Sequence, residues 1–172
     1  KNGIESAVVS LTGSVDEIAN AAKGCDAIVF TAGSGGSTGA DQTLLIDLDG
    51  AVKTIEAAEN LGIDRFIMVS AFQANNRENW NEAIKPYYVA KHYADRALLQ
   101  SDLNYTIIRP GGLVNEPGSG KVTAAEELER GSIAREDVAR TILASLTDEN
   151  TYKRSFDLIS GDTAIAEALR KI

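Results

Sequence analysis

The sequence predicts an α/β domain built on a doubly wound, parallel sheet, and three observations support this fold class. Apolar runs at residues 26–31, 65–70 and 105–109 are continuous rather than alternating, as expected for strands that are covered on both faces. Helical patterns separate these runs, which indicates β-α-β connections. The length of 172 residues suits one domain, residues 1–172, with a substantial core.

The first third of the chain is predicted from local patterns. Residues 6–11 form a short apolar, β-branched run, which predicts a first strand. Ser14 and Glu17 have the spacing of a capping box, so a helix should run to about Ala22. After the strand at 26–31, a long helix over residues 40–60 is predicted to bury one apolar stripe. The stripe consists of Leu44, Leu48, Ala51, Val52, Ile55 and Ala58.

The rest of the chain continues the alternation. The polar residues 71–84 predict a loop that could cover a site, with Trp80 as an anchor. Pro86 suits the first turn of a helix that reaches about Ser101. Beyond the strand at 105–109 we expect a short strand at 121–123, a helix through residues 138–146, a last strand at 155–159 and a closing helix.

The composition argues against several classes of function. A net charge of −8 and a pI near 4.7 argue against a nucleic-acid surface, which needs clustered Lys and Arg. The single cysteine, Cys25, allows no disulfide within this sequence, favours a reducing compartment such as the cytoplasm, and is predicted to be a small buried residue. One histidine, His92, predicts no metal site. No apolar run approaches the ~20 residues of a membrane span, so a membrane is not among the expected partners.

A glycine-rich segment follows the strand at 26–31. Residues 32–39 lie between a strand and a helix, where a phosphate-binding loop would sit. A G-x-G-x-x-G fingerprint starting at Gly33 would need glycine at position 38, which is Thr38, and the P-loop ending is also absent. The backbone amides could still line a ligand site at the end of the strand, or the segment could be a mobile surface loop.

Tyr87 and Lys91 are four residues apart on the predicted helix. They therefore share one face, about one turn apart. A nearby ammonium favours the phenolate, so Lys91 is predicted to lower the pKa of Tyr87 from its usual value of ~10. A phenol adjusted in this way can exchange a proton with a carbonyl or alcohol oxygen. The alternative is that Tyr87 is half-buried packing and Lys91 a solvated charge.

The strand ends and this helix together resemble a known family. The run at 66–70, the run at 87–95, residues 105–112 and residues 135–139 are similar, in their order and spacing, to the short-chain dehydrogenase/reductase superfamily. The closest likeness is to its atypical NAD(P)H-binding, epimerase/dehydratase-like and NmrA-like members. The resemblance covers nearly the whole chain from Ala7 onward and implies a Rossmann-type fold.

The resemblance also implies roles for named residues. Ser70 would hydrogen-bond the substrate oxygen, Tyr87 would be the acid/base, and Lys91 would hold the nicotinamide ribose and lower the Tyr pKa. The adenosine side of the cofactor would lie near Thr31, Ala32 and Gly33. The nicotinamide end would meet Pro110, Gly111, Gly112 and Leu113. Arg109 and Asp137 would be structural. The implied cofactor is NADP, with NAD as the alternative.

One departure from the family concerns the start of the fold. The glycine-rich first turn and the second strand of the family are absent from this sequence, which begins with Lys1 rather than Met. In the strand order 3-2-1-4-5-6, the runs at 6–11 and 26–31 would be strands three and four, with two strands between them. We therefore expect an upstream β-α-β segment outside this sequence. The alternative is a truncated or rearranged domain that does not bind dinucleotide in the usual way.

Three functions remain open from the sequence. The leading hypothesis is an NAD(P)H-dependent oxidoreductase that reduces a carbonyl or quinone-like acceptor. The second is a non-catalytic dinucleotide sensor on the same fold, because fold alone does not decide function. The third is a structural fragment without activity. The presence of Ser70 and Tyr87 beside Lys91 favours the enzyme, since a sensor would need only the lysine. The substrate and the oligomeric state are not predicted.

Overall fold

Strands and helices alternate along residues 3–172, which are described by a computed structural model. The strands are β1 (Ala27–Phe30), β2 (Arg65–Val69), β3 (Asn104–Pro110), β4 (Gly112–Val114), β5 (Lys121–Ala125), β6 (Ser132–Ala134), β7 (Arg154–Ser160) and β8 (Thr163–Ala164). The α-helices are α1 (Val15–Ala22), α2 (Ala40–Gln42), α3 (Ala51–Leu61), α4 (Lys85–Gln100), α5 (Arg135–Thr147) and α6 (Ile165–Leu169). A π-helical segment, Thr43–Gly50, joins α2 to α3. Single 3₁₀ turns occur at Arg77–Asn79, Glu82–Ile84 and Glu149–Thr151.

The main sheet has six strands in the order β1-β2-β3-β7-β5-β8. The first four are parallel, whereas β5 runs antiparallel to its neighbours β7 and β8. Successive side chains of the central strands enter two separate cores, because a strand points alternate residues to opposite faces. Phe66 and Ile107 pack with α3 and α4, whereas Ile67 and Ile108 pack with α5 and α6. Both faces are covered, and the predicted doubly wound α/β fold is confirmed.

A second, two-stranded sheet was not predicted. It pairs β4 with β6 in parallel, and Leu113 lies opposite Ile133. Each strand has only three residues, so neither gives a periodic signal that could be read from the sequence. This small sheet fixes the chain immediately after β3, next to the ends of the central strands.

The long helix predicted over residues 40–60 is continuous but contains the π-helical segment. A π turn holds an extra residue, which rotates the following side chains away from their α-helical positions. Leu44 is therefore half exposed, and the predicted stripe is wrong at this position. Thr43 and Asp47 are buried instead, while Ala51 and Ile55 point into the core as expected.

The predicted strand at residues 6–11 is wrong. The segment has no strand assignment, and no strand of the described residues pairs with it. Residues 3–10 are exposed, and only Leu11 packs against the core, close to Gly50. An apolar run forms a strand only where another strand offers its backbone groups, and sequence composition cannot supply that partner.

Two smaller predictions have different outcomes. The capping box is confirmed, since the Glu17 amide donates to Ser14 Oγ at 3.2 Å and the Ser14 amide donates to Glu17 Oε2 at 2.8 Å. Cys25 is exposed rather than buried, because it precedes β1 in the turn that leaves α1.

Within residues 3–172, no helix combines the length and apolar character needed to cross a membrane.

Candidate active site

The ends of β1, β2 and β3 meet at one cavity of about 900 Å³. Parallel strands bring their carboxyl ends to the same edge of a sheet, which is the usual ligand site in doubly wound folds. All ten residues to which the resemblance assigns a substrate, proton or cofactor role line this cavity: Thr31, Ala32, Gly33, Ser70, Tyr87, Lys91, Pro110, Gly111, Gly112 and Leu113. The structure therefore brings the predicted residues together, while their individual roles stay predictions.

Lys91 lies almost completely buried beneath the cavity. Its side chain is 2% exposed, and Nζ donates a hydrogen bond of 2.8 Å to the carbonyl oxygen of Val69, the last residue of β2. Burial lowers the pKa of Lys91, and the carboxylates of Asp95 and Asp47 oppose this shift. The hydrogen bond thus holds the ammonium at the end of a central strand, and the two carboxylates favour its charged form.

Tyr87 is half-buried one turn before Lys91. Burial raises the pKa of Tyr87 to about 12, and the charge of Asp47 adds to the shift, followed by smaller contributions from Tyr88 and Asp95. The predicted lowering of this pKa by Lys91 is therefore wrong for the protein without ligands. Desolvation and the nearby carboxylates favour the neutral phenol, while the Lys91 ammonium bonds to Val69. Tyr87 holds its proton throughout the physiological pH range.

Ser70 follows β2 directly, and its backbone amide donates to Ile108 O at 2.8 Å. The side-chain oxygen is buried and makes no well-formed hydrogen bond within the described residues. It lies near Asp95, and its hydroxyl helps to lower the pKa of that carboxyl against the larger, opposing effect of burial. The Ser70 residue therefore lines the cavity with a buried hydroxyl that lies near the Asp95 carboxyl.

Behind the cavity, Asp95 forms a buried ion pair with Arg109. The Arg109 Nε atom lies 3.1 Å from Asp95 Oδ2, and both side chains are 3% exposed or less. This pair joins α4 to β3 directly under Ser70 and Lys91. Asp137 likewise accepts hydrogen bonds of 2.8 Å from the amides of Ser119 and Gly120. Both arrangements agree with the structural roles expected for Arg109 and Asp137.

Asp47 is a cavity residue that sequence reasoning missed. It is 1% exposed, and its Oδ2 accepts a hydrogen bond of 2.9 Å from the Ser34 amide in the glycine-rich segment. Its position could not be read from an α-helical pattern, because the π-helical segment rotates it towards the cavity. The available signal was weak: an acidic residue in an apolar helix that follows a glycine-rich loop.

One part of the cavity lining is an apolar and aromatic wall. It includes Phe72, Ile84, Tyr88 and Leu113. Trp80 supports this wall from outside, since it stacks on Tyr88 with ring centroids 5.9 Å apart and donates from Nε1 to Ala74 O at 3.2 Å. The prediction that Trp80 is an anchor is confirmed.

Two loops that approach this wall are tied to β7 by Asp157. The Asp157 carboxylate is buried and accepts hydrogen bonds from the amides of Gln73 and Leu128, at 3.3 and 3.2 Å. Gln73 has a positive φ of 54°, an unusual conformation for a residue with a side chain. Asp157 therefore holds residues 71–74 and 126–131 next to each other at the edge of the cavity.

Gly111 allows a close backbone approach beside the cavity. A Cβ atom there would lie 2.3 Å from the carbonyl oxygen of Gly131, so no side chain fits without moving the chain. The Gly112 amide donates to the same oxygen at 2.9 Å. This contact holds the turn of residues 110–113 against β6, where the resemblance expects the nicotinamide end of a cofactor.

A nicotinamide dinucleotide fits part of this site. Lys91 is a buried cation at a strand end, and Gly33, Gly35 and Gly36 leave the backbone of the first loop free of side chains. These features suit a ribose and the adjoining groups. The glycine-rich turn that seats the pyrophosphate in this type of fold is absent from the sequence. The residues present thus suit the nicotinamide side of the cofactor best.

The parallel sheet, the cavity at its carboxyl edge and the Tyr–Lys pair define a nucleotide-cofactor-binding protein of the Rossmann type. The chain belongs to the NAD(P)H-binding family, whose model matches residues 1–149. This match and the relatives below confirm the resemblance to the atypical, epimerase/dehydratase-like short-chain dehydrogenases/reductases.

Several known proteins are similar over much of the chain. The uncharacterized sugar epimerase YhfK of Bacillus subtilis is 69% identical over 170 residues, which are 99% of this chain and 79% of that protein. The crystal structure of the oxidoreductase ylbE from Lactococcus lactis is 34% identical, with a TM-score of 0.91 over 99% of this chain and 78% of that one. Sanguinarine reductase of Eschscholzia californica is 29% identical over 138 residues, 73% of this chain and 49% of that enzyme.

Proposed function

We propose that this chain is an NAD(P)H-dependent oxidoreductase that reduces a carbonyl or quinone-like small molecule, with NADPH as the preferred donor. The observation that carries the proposal is the convergence of Ser70, Tyr87 and Lys91 with two loop segments at one cavity in an NAD(P)H-binding protein. A reduced nicotinamide, when bound, supplies a hydride.

The residues of the chain would then handle binding and the proton. Lys91 would hold the ribose through its buried ammonium, and Tyr87 would donate its proton to the substrate oxygen as that oxygen gains negative charge. The neutral phenol of Tyr87, with a pKa of about 12, is the form that donates. This charge state suits reduction, because oxidation of an alcohol would need the phenolate as the base.

The walls of the cavity support an apolar acceptor. Phe72, Ile84, Tyr88 and Leu113 offer apolar surface, and pockets of this kind hold most of a small ligand by burial. The similarity to a protein called sanguinarine reductase supports a reductase. We therefore propose a largely apolar, conjugated carbonyl compound as the substrate class.

A second candidate function is a non-catalytic NAD(P)-binding redox sensor. The observation that favours it is the Ser70 hydroxyl, which is buried and lies near Asp95. A sensor would retain the cofactor site with Lys91 and would not need Ser70 or Tyr87 to reach a substrate. Cofactor binding without turnover across a panel of carbonyls and quinones would support this alternative.

The cofactor site is tested by titrating NADPH, and NADH beside it, into the purified protein and following fluorescence. Replacing Lys91 with Met keeps the length of the side chain but removes the ammonium. We expect NADPH affinity to fall by about tenfold or more, since a charge-assisted hydrogen bond is lost. Lys85→Met, at an exposed lysine that pairs with Glu82, is the matched control and should bind as the wild type does.

Two results would count against the proposal. The absence of saturable binding by folded wild-type protein would refute the cofactor site. Equal affinity in the wild type and in Lys91→Met would remove the role of Lys91. Near-UV circular dichroism of each variant separates lost binding from lost folding. A stronger response to NADH than to NADPH would change the preferred cofactor and leave the remainder of the proposal intact.

A further inference from the structure

Asp47 is the feature of the site that the family resemblance does not explain. It lies in the middle of the π-helical segment, and its carboxylate faces the cavity between the glycine-rich segment and α4. Its side chain is 1% exposed, and burying a carboxylate costs free energy unless other groups replace the lost hydration. The contacts of its two oxygen atoms show how it is held.

Among residues 3–172, only one carboxylate oxygen of Asp47 accepts a hydrogen bond. Oδ2 accepts the Ser34 amide hydrogen bond at 2.9 Å. Oδ1 has no hydrogen-bond partner within residues 3–172 and lies over Gly33, where a Cβ atom would be 3.0 Å away. No lysine or arginine of the described residues is within salt-bridge distance of Asp47. The carboxylate is therefore positioned by the loop, and its charge is not neutralised by a direct ion pair.

The charge of Asp47 acts on two groups of α4 that line the same cavity. It raises the pKa of Tyr87, second only to burial, and it opposes the lowering of the Lys91 pKa by burial. The other ionisable groups near these two side chains are Tyr88 and Asp95 on α4, and Arg109 on β3 pairs with Asp95. Because Asp95 is paired with Arg109, Asp47 is the carboxylate without an ion-pair partner in this set.

We propose that Asp47 is a positioning residue that keeps the proton on Tyr87 and the positive charge on Lys91, so that the site delivers a proton rather than accepts one. The inference rests on the proposed function, in which Tyr87 is the proton donor. It adds a residue outside the Ser–Tyr–Lys set. It also favours reduction over oxidation, a direction that the Ser–Tyr–Lys set does not specify by itself.

Three substitutions on the same helical segment separate this role from a general effect of charge. Asp47→Asn removes the negative charge and retains an oxygen that can accept the Ser34 amide hydrogen. Asp49→Asn removes a charge two residues away, where the side chain is 53% exposed and pairs with Lys53 at 2.8 Å. Asp47→Glu restores the charge and serves as the conservative variant.

The direct readout is the ionisation of Tyr87, which a merely structural role of Asp47 would not move. The five tyrosines are labelled with ¹³C at Cζ, and the resonance of Tyr87 is the one missing from Tyr87→Phe. With a pKa of about 12, roughly a tenth of wild-type Tyr87 is ionised at pH 11. We expect about two to five times that fraction in Asp47→Asn, and the wild-type fraction in Asp49→Asn and Asp47→Glu.

A second measurement avoids strongly alkaline conditions. Without Asp47, Lys91 should lose its proton at lower pH, so the midpoint at which NADPH affinity falls should move to lower pH in Asp47→Asn. Unchanged Tyr87 ionisation in folded Asp47→Asn would overturn the proposal. If Asp47→Asn unfolds at pH 11, the proposal would be overturned instead by an unchanged pH midpoint for the loss of NADPH affinity. Failure of the wild type to bind NADPH would refute the proposed function, while the tyrosine resonance would still decide the role of Asp47.

Discussion

Replacing Tyr87 with Phe is expected to lower kcat/KM for carbonyl and quinone acceptors by about 100-fold or more, which is the usual contribution of a positioned acid. The substitution removes one oxygen from a half-buried ring and leaves Lys91, Val69 and the loop of Ser34 in place. NADPH affinity should therefore stay within about twofold of the wild type, because no cofactor contact is assigned to the phenol. Steady-state kinetics and the fluorescence titration measure the two quantities separately.

The matched control for this prediction is Tyr93→Phe. Tyr93 lies on the same helix, but its side chain is exposed and its hydroxyl accepts from Arg77 at 3.2 Å. This variant should keep its full activity. Turnover that is unaffected in Tyr87→Phe would show that the phenol is not the proton donor. The reductive activity of the wild type should not decline through ionisation of Tyr87 until the pH nears its pKa of about 12.

Replacing Arg109 with Met should lower the free energy of unfolding by about 3–5 kcal/mol, the largest stability effect that we expect in this chain. The guanidinium is the ion-pair partner of Asp95, and both side chains are almost fully buried. Loss of Arg109 leaves a buried carboxylate beside Ser70 and raises its pKa further above the ordinary value. Urea denaturation monitored by circular dichroism measures the change.

Two variants test the cause of this loss. Lys85→Met removes the exposed ion pair with Glu82, in which the side chains are 52% and 78% exposed, and should cost no more than about 1 kcal/mol. Adding Asp95→Asn to Arg109→Met removes the unpaired charge and should recover part of the stability. A double variant that is no more stable than Arg109→Met would indicate that lost packing, rather than the stranded carboxylate, is responsible.

The strand pattern shows how far local sequence determines this fold. The runs at 26–31, 65–70 and 105–109 are continuously apolar, as expected for strands such as β1, β2 and β3 that are covered on both faces. Each run can be recognised from its own residues, without reference to the rest of the chain. The run at 6–11 is similarly apolar, yet residues 6–10 stay exposed and no strand of the described residues pairs with the run. Strand formation there depends on a neighbouring strand, which is a non-local condition.

The site shows the same division. Local spacing placed Tyr87 and Lys91 on one helix face, and the family resemblance implied that Ser70, Gly33 and Pro110 would lie at one cofactor and substrate site. Spacing could not predict the charge states of these two side chains. Lys91 donates its hydrogen bond to the carbonyl of Val69, and burial together with nearby carboxylates raises the pKa of Tyr87. The pKa of a group depends on everything packed around it, whereas the sequence showed only the one neighbour on the same helix.

The sequence by itself determined the fold class and the order of the central elements, because these follow from periodicity along the chain, and its motifs carried the resemblance to the family. Only the tertiary structure decided which carboxylate faces the cavity, since the π-helical segment turns Asp47 inwards and leaves Leu44 exposed. It also decided that Asp157 joins two distant loops and that Ser70 points to Asp95. These contacts join residues that are far apart in the chain, and packing in three dimensions is what selects them.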